Sequence, residues 1–368
     1  MKTKTKLYLV VLMILGIIVS VIFMRGRLLE DSKRNVYAVL PLTGSMSELG
    51  KTAKSSMELY LNLVKDTRIN VVYVDSESIP SKAISAVAQK TVGESQPIVV
   101  TAFSFLANPV IGAVAERNGF TFAIATASVN SNLVHGTHSY QKVSTGVADV
   151  VTPIVRFANK RYKTAAIIFS SDEYGERNKS FFRQHFSGKV IAETPFHLSD
   201  PNVRELVASA LRASPDMIFV TGSATIAYVN LFKEMKSMGY KGQIMADLAF
   251  ANTFAYTSLG EQANGIVFSC TKSDFSQADD VNSDFRSGCL NYGVRPYFLT
   301  SQAYDVLALI DYAIKNGFEF KQDEFLNMGT FSEGVETIKF TGSGECWYDC
   351  KLATIVNGKV TPVEKSNE

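Results

Sequence analysis

The sequence has few of the residues that build metal centres and catalytic sites. It contains four histidines, four cysteines and one tryptophan in 368 residues. It also lacks the G-x-S-x-G nucleophile elbow, the phosphate-binding P-loop and a G-x-G-x-x-G motif after its first predicted strand. No histidine follows a predicted strand end with an acidic partner. We therefore expect neither an enzyme nor a protein that holds a metal or another cofactor.

The sequence also lacks an excess of charge of either sign. The 37 basic and 35 acidic residues nearly cancel, and the formal net charge is +2. Lysine and arginine are scattered, with no basic stripe beyond the N-terminus. A protein that binds nucleic acid needs such a stripe to neutralise phosphates. The composition therefore gives no reason to expect a nucleic-acid partner, and the 46% apolar fraction is ordinary for a globular chain.

One long apolar run stands at the N-terminus. Lys2, Lys4 and Lys6 precede Leu7–Met24, which contains no charged residue. A helix over this run would be about 27 Å long, close to the thickness of a bilayer core. It has no clean small-x-small cleavage site and no following cysteine for lipid attachment. We interpret residues 1–34 as a signal anchor or signal peptide with a linker, and favour an uncleaved anchor over cleavage.

The four cysteines all lie in the C-terminal third, at Cys270, Cys289, Cys346 and Cys350. An even number of cysteines in an exported chain favours disulfides. Four cysteines allow three pairings, and the sequence does not choose among them. The simplest pairing is local, Cys270 with Cys289 and Cys346 with Cys350.

Short apolar runs alternate with segments of helical periodicity along the rest of the chain. The first strand is predicted at Val36–Leu40, and the alternation restarts after a predicted helix at Val147–Lys160. The last strand of this second series is predicted at Gly265–Ser269. Strict alternation of strands and helices is typical of parallel sheets covered by helices. The chain is long enough for two such lobes.

The stretch Pro97–Leu133 carries the strongest functional signal. It contains two predicted strands, Ile98–Ala102 and Thr121–Ala125, separated by a segment of helical length. Small and hydroxylated residues, Ser104 and then Thr126-Ala127-Ser128, follow these strands directly. Ligands of parallel α/β sheets bind just beyond the carboxyl ends of the strands. We therefore expect these two strand ends to lie side by side and to present hydroxyl and backbone groups to one small ligand.

Several ordered motifs resemble the type I periplasmic binding proteins, in particular the leucine/isoleucine/valine-binding branch of ABC-transporter solute receptors. The resemblance spans about residues 37–360. The matching pieces are Leu42-Thr43-Gly44 with Gly50, Ser104 with Ala107 and Pro109, Ala127-Ser128 with Leu133, Asp172-Tyr174-Gly175, Tyr304-Asp305, and residues 334–340 with Gly344 and Asn357-Gly358-Lys359. Each piece is loose, but all occur in the order that the family has.

The resemblance implies two doubly wound parallel-sheet lobes joined by three crossing hinge segments. Residues 35–145 and 271–332 would form the first lobe. Residues 146–270 and 333–368 would form the second. Proteins of this fold close around a ligand by hinge motion of the lobes.

The resemblance also implies a set of ligand-binding residues. In relatives that bind amino acids, loops of the first lobe hold the carboxylate and ammonium groups of the ligand. Carried over, Phe103 or Ser104 would donate a backbone N–H, and Ser104 also its hydroxyl, to a carboxylate. Ala127 would offer a carbonyl and Ser128 a hydroxyl. Tyr174 would close over the ligand from the second lobe.

The acidic residue that holds the ammonium group in amino-acid binders does not align cleanly. One alignment places Leu248 at the acid position and Asp247 one residue early. If Asp247 points into the cleft, an amine ligand fits; if it does not, the ligand lacks an ammonium group. Phe103, Phe105 and Phe250 are expected near the cleft, where they would suit an apolar or aromatic part of the ligand.

The resemblance implies an extracytoplasmic solute-binding protein that presents an amino acid or related small carboxylate to an ABC importer. The alternative is a membrane-tethered sensor ectodomain that signals through a partner protein. A third interpretation is a structural pair of lobes with an empty cleft. In each case the globular part would lie in the periplasm, or on the outer face of the cytoplasmic membrane, with residues 7–24 as the anchor.

Overall fold

The computed structural model describes residues 33–126, 139–197, 203–222, 225–251, 253–275, 283–342 and 344–363. Residues 1–32, and with them the predicted membrane anchor, lie outside the described residues. Among the helices that are described, none combines the length and apolar character needed to cross a membrane.

The first sheet has five parallel strands in the order β2-β1-β3-β4-β5. These are β1 (Arg34–Leu40), β2 (Ile69–Asp75), β3 (Ile98–Ala102), β4 (Phe120–Ile124) and β5 (Tyr140–Val143). All residues of β3 and β4 are buried. Continuous apolar burial is expected for parallel strands that are covered on both faces.

The second sheet also has five parallel strands, and two antiparallel strands extend it at one edge. The parallel strands are β6 (Thr164–Ser170), β7 (Lys189–Phe196), β8 (Met217–Thr221), β9 (Gln243–Ala246) and β10 (Val267–Cys270). A small antiparallel sheet follows in the chain, with β11 (Thr330–Phe331), β12 (Ile338–Gly342) and β13 (Glu345–Tyr348). The edge strands of the second sheet are β14 (Lys351–Val356) and β15 (Lys359–Pro362). The order of the second sheet is therefore β15-β14-β10-β9-β8-β6-β7.

Helices connect the parallel strands of both sheets. They are α1 (Ser47–Leu63), α2 (Pro80–Lys90), α3 (Ser104–Ala115), α4 (Val147–Asn159), α5 (Glu173–His185), α6 (Val203–Leu211), α7 (Thr225–Ser237), α8 (Thr253–Leu259), α9 (Ser283–Asn291), α10 (Phe298–Lys315) and α11 (Gln322–Met328). Three short 3₁₀ turns, including Leu248–Ala251, complete the described elements. The predicted α/β fold with parallel sheets is confirmed.

The chain passes between the two sheets three times, at residues 144–146, after Cys270 and at residues 349–350. The third crossing is later than the predicted boundary at residue 333. Ile338, Phe340 and Tyr348 are buried in the core of the first lobe, because the small sheet β11–β13 packs there. The first lobe therefore holds the chain as far as about Tyr348.

The four cysteines are free thiols. The predicted pair Cys270 and Cys289 is separated because Cys270 belongs to the core of the second lobe and Cys289 to that of the first. Cys346 is buried in the first core, and its thiol donates to the carbonyl of Ser144 at 3.3 Å. Cys350 lies at the third crossing and packs against both cores.

Candidate functional site

The carboxyl edges of the two parallel sheets border the same crossing segments. The first crossing leaves the first sheet where β5 ends at Val143, and the second leaves the second sheet where β10 ends at Cys270. Parallel strands all end at one edge of their sheet. The loops beyond those ends therefore line the region between the lobes, where α/β folds bind ligands.

Two hydroxyl side chains meet at the edge of the first sheet. β3 and β4 are parallel neighbours, and their register pairs Ala102 with Ile124. Two residues further along, the hydroxyl oxygens of Ser104 and Thr126 lie 2.7 Å apart. The prediction that these strand ends lie side by side is confirmed. Ser104 is also the first residue of α3, where backbone N–H groups have no acceptor within the helix.

The backbone turns sharply between β3 and α3. Phe103 has a φ of 66°, a left-handed conformation that is uncommon for a residue with a side chain. Its N–H donates to the carbonyl of Ile124 at 3.1 Å. The Phe103 N–H is therefore used within the sheet. Of the two backbone donors predicted for a ligand carboxylate, Phe103 and Ser104, this leaves Ser104. The ring of Phe103 stacks on Phe105 at a centroid distance of 6.1 Å, and Phe105 is 39% exposed.

A buried amide supports the second strand end. The side-chain oxygen of Gln302, on α10, accepts the N–H of Ala125 at 3.0 Å. The amide nitrogen of Gln302 is buried and has no hydrogen-bond partner. A buried donor without a partner costs about 1–3 kcal/mol. A ligand acceptor bound beside Ala125 and Thr126 would remove that cost. The two other predicted contacts in this loop, Ala127 and Ser128, lie outside the described residues.

The edge of the second sheet is organised around Asp247. β8 and β9 are parallel neighbours, and Val220 pairs with Ala246. The next residues, Thr221 and Asp247, are therefore adjacent, and the Thr221 hydroxyl donates to Asp247 Oδ2 at 2.5 Å. Asp247 is fully buried, at 0% exposure. Asp247 was predicted near the cleft from the sequence, with the direction of its side chain left open.

Five donors surround the Asp247 carboxylate. Oδ1 accepts from the Tyr228 hydroxyl at 2.5 Å and the Ala249 N–H at 2.9 Å. Oδ2 accepts from Thr221 and also from the Gly222 N–H at 3.0 Å and the Asn178 amide at 3.4 Å. Burial raises the pKa of Asp247 to about 6, and the hydrogen bonds oppose that rise. A carboxylate offers roughly four lone-pair positions, so these donors fill it.

Tyr174 covers this cluster. Asp172 caps α5 by accepting the N–H of Gly175 at 2.9 Å, and α5 then places Tyr174 and Asn178 on one face, four residues apart. The Tyr174 hydroxyl interacts with Asn178 and Asp247; burial first, and then the charge of Asp247, raises the pKa of Tyr174 well above its usual value. Tyr174 is half-buried.

Four residues of the site were not predicted from the sequence: Asn178, Thr221, Tyr228 and Gln302. The spacing of four residues from Tyr174 could have identified Asn178. Gln302 is brought to Ala125 by the fold across 177 residues, and no local pattern marks it. One expectation was wrong: Phe250 does not line the cleft, because it is 0% exposed and packs among Tyr228, Phe232 and Phe268.

Comparisons with known proteins identify the family and the fold. The family model described as "Periplasmic binding protein" matches residues 36–326. A search of curated proteins finds no match. Many solved structures share the fold.

Three of these structures differ in the ligand with which they were solved or in how much of their own length the match covers. The chain is 18% identical to LivJ from Streptococcus pneumoniae, solved with isoleucine, with a TM-score of 0.75 over 89% of this chain and 98% of that one. It is 16% identical to a solute-binding protein from R. palustris, solved with 4-hydroxybenzoate. The TM-score is 0.76, over 90% of this chain and 95% of that one. An extracellular ligand-binding receptor from Desulfohalobium retbaense is 18% identical, with a TM-score of 0.73. The match covers 90% of this chain and 60% of that receptor.

Proposed function

The chain belongs to the periplasmic binding protein family, and we propose that it binds one small carboxylate between its two lobes. The observation that carries the proposal is the pair of strand ends at Ser104 and Thr126, with the unpartnered amide nitrogen of Gln302 beside them. Hydroxyl, amide and helix N-terminal donors hold an anion without burying a second full charge. Tyr174 would cover the bound molecule from the second lobe.

The known ligands of similar structures define the classes to test. Isoleucine is bound by LivJ and 4-hydroxybenzoate by the R. palustris protein. Both molecules carry a carboxylate, which the donors of the first lobe suit. We therefore propose an amino acid or an aromatic or aliphatic acid as the ligand. The globular part would act outside the cytoplasm, as the family implies.

A thermal-shift screen of the full-length protein tests this proposal. The panel would contain branched-chain and aromatic amino acids, benzoate, 4-hydroxybenzoate and short aliphatic acids. A ligand present at 100 times its Kd stabilises the folded state by about 2.7 kcal/mol, so a true ligand raises the Tm measurably. If no carboxylate in the panel raises the Tm, the proposal is wrong.

We propose that the protein delivers the bound acid to an ABC importer. The alternative is that it is a membrane-tethered sensor of that acid. The run Leu7–Met24, which contains no charged residue, favours tethering, and a tethered receptor serves either role. Deleting the gene separates them. Loss of uptake of the bound acid supports the importer role. Intact uptake with loss of a transcriptional response to the acid supports the sensor. N-terminal sequencing of the membrane fraction tests the anchor, because a start after residue 20 means cleavage.

A further inference from the structure

We propose that the ligand is a carboxylic acid without an α-ammonium group, and that its body is apolar or aromatic. This inference rests on the proposed carboxylate-binding function and narrows its ligand class. The central observation is that the only carboxylate described at the ends of β8 and β9 is already filled by donors of the protein itself.

An ammonium group in a cleft needs acceptors, and burying it without a counter-charge is costly. Asp247 is the carboxylate placed for that purpose at the second-lobe edge. Its two oxygens accept five donors, at 2.5 to 3.4 Å. Four of these come from Thr221, Gly222, Tyr228 and Ala249 at distances of 3.0 Å or less. For an ammonium group to bind Asp247, it would have to displace one of these donors.

Three other carboxylates near the strand ends and crossings also accept hydrogen bonds from the protein. Asp75 accepts the N–H groups of Leu42, Thr43 and Glu77 and the hydroxyl of Thr43. Asp149 accepts the N–H groups of Gly146 and Tyr348, and Asp274 accepts those of Thr271 and Phe298. These carboxylates hold loops and crossing segments in place. Like Asp247, these three carboxylates are already used by the protein's own donors.

An acceptor that lacks a hydrogen-bond partner at the second-lobe edge is neutral. The side-chain oxygen of Asn178 is buried and has no partner, and it lies on the amide that donates to Asp247. A neutral amide oxygen accepts a hydroxyl or N–H donor but does not balance a full positive charge. The cluster therefore favours a ligand that is uncharged at the end facing the second lobe.

The first-lobe edge has the opposite character. Gln302 has a buried amide N–H group without an acceptor, and Ser104 begins a helix of 12 residues. Both are suited to an anion. The stacked rings of Phe103 and Phe105 lie beside this end, with Phe105 39% exposed. Together these groups match a carboxylate attached to an apolar or aromatic body.

Calorimetric titration of the full-length protein with matched pairs tests the inference. The pairs are phenylalanine with 3-phenylpropanoate and leucine with 4-methylpentanoate, which differ only in the α-ammonium group. Phenethylamine and isoamylamine provide the amine without the carboxylate. Benzoate and 4-hydroxybenzoate test the aromatic body. We expect at least one acid without an ammonium group to bind at least about tenfold tighter than its amino-acid partner, because the ammonium group would be buried without a counter-charge.

The possible results distinguish failure of this inference from failure of the proposed carboxylate binding. An amino acid that binds tighter than its deaminated partner overturns this inference and leaves the proposed carboxylate binding standing. Binding of the amines alone overturns both. Absence of heat for every acid and amino acid overturns the proposed function, and the inference with it.

Discussion

At the carboxyl edge of the first sheet, donors remain open; at the same edge of the second sheet, the one central carboxylate is enclosed. Ser104 begins a helix, and the Gln302 amide nitrogen lacks a partner. Asp247, by contrast, is fully buried and accepts from five groups. Two sheets of similar topology therefore present different chemistry to the space between them. Topology places the loops, and the individual side chains decide what those loops can bind.

The largest expected effect comes from removing the enclosed carboxylate. Asp247→Ala leaves the hydroxyl of Thr221 and the N–H groups of Gly222 and Ala249 without their acceptor. We expect a loss of about 3–5 kcal/mol in the free energy of unfolding, measured by urea denaturation, because breaking a buried charged network strands its partners.

Asp66→Ala is the matched control for that substitution. Asp66 is an exposed residue between α1 and β2, and its removal should change stability by less than about 0.5 kcal/mol. If Asp247→Ala is as mild as this control, the carboxylate does not organise the second-lobe edge.

The next effect is on the pH dependence of stability. Burial raises the pKa of Asp247 to about 6 and that of Asp274 to about 7, from 3.8. The folded state therefore binds protons that the unfolded state releases, so stability increases as the pH falls from 7 towards 4. The pKa values of Asp149 and Asp305 are also raised, chiefly by burial, and act in the same direction. Asp247 alone would contribute about 2 kcal/mol over this range.

Urea denaturation at pH 7, 6, 5 and 4 measures this dependence. Burial alone would raise the pKa of Asp75, but hydrogen bonds from Glu77 and Thr43 help to lower it below its usual value. Titration of Asp75 therefore reduces stability, against the trend of the buried carboxylates, only as the pH falls below about 4. Asp247→Asn, which cannot titrate, should show a shallower rise. An equal slope in the variant and the original protein would mean that Asp247 titrates normally.

Ser104→Ala tests the carboxyl edge of the first sheet, where donors remain open. We expect the affinity for the bound acid to fall by about 1–3 kcal/mol, because the substitution removes a hydroxyl donor from a charged acceptor. Calorimetry gives this difference directly. Ser85→Ala, on the exposed face of α2, should leave affinity unchanged. Equal affinities of all three proteins would remove Ser104 from the site.

The smallest expected effect concerns the aromatic pair. Phe105→Ala should weaken binding of an aromatic acid by about 0.5–1.5 kcal/mol, the usual contribution of one ring contact, and should weaken an aliphatic acid less. Leu326 is similarly exposed, at 44%, on α11. Leu326→Ala is therefore the control and should leave both affinities unchanged. A Phe105→Ala variant that binds aromatic and aliphatic acids as before would show that this ring does not touch the ligand.

Much of the fold could be predicted because its strands are short, continuous apolar runs. Ile98–Ala102 was predicted with the bounds that the structure has, and the predicted first strand ends at Leu40, as β1 does. Strand β5 was missed because it carries Gln141 and Lys142, which do not resemble a buried strand. The structure buries Lys142 by pairing its ammonium group with Glu345 at 2.8 Å, a partner 203 residues away.

The site was predictable only in part, for a similar reason. Ser104 and Thr126 could be identified because both follow strands directly. The enclosure of Asp247 depends on donors at residues 178, 221 and 228, which converge only when α5, β8 and α7 pack together. Phe250 was assigned to the cleft from its position near Asp247. It is instead a core residue, because the 3₁₀ turn after β9 directs it into the second lobe.

The most direct test of the enclosed carboxylate is a pH titration of Asp247 by carbon NMR, with aspartate labelled at the side-chain carboxyl. Asp247→Asn identifies its signal. The account predicts a midpoint near 6 in the free protein, and a midpoint that is no lower when the site is saturated with the acid that binds. A fall to 3.8 or below on saturation would show that a ligand cation has come beside the carboxylate, and would contradict the account.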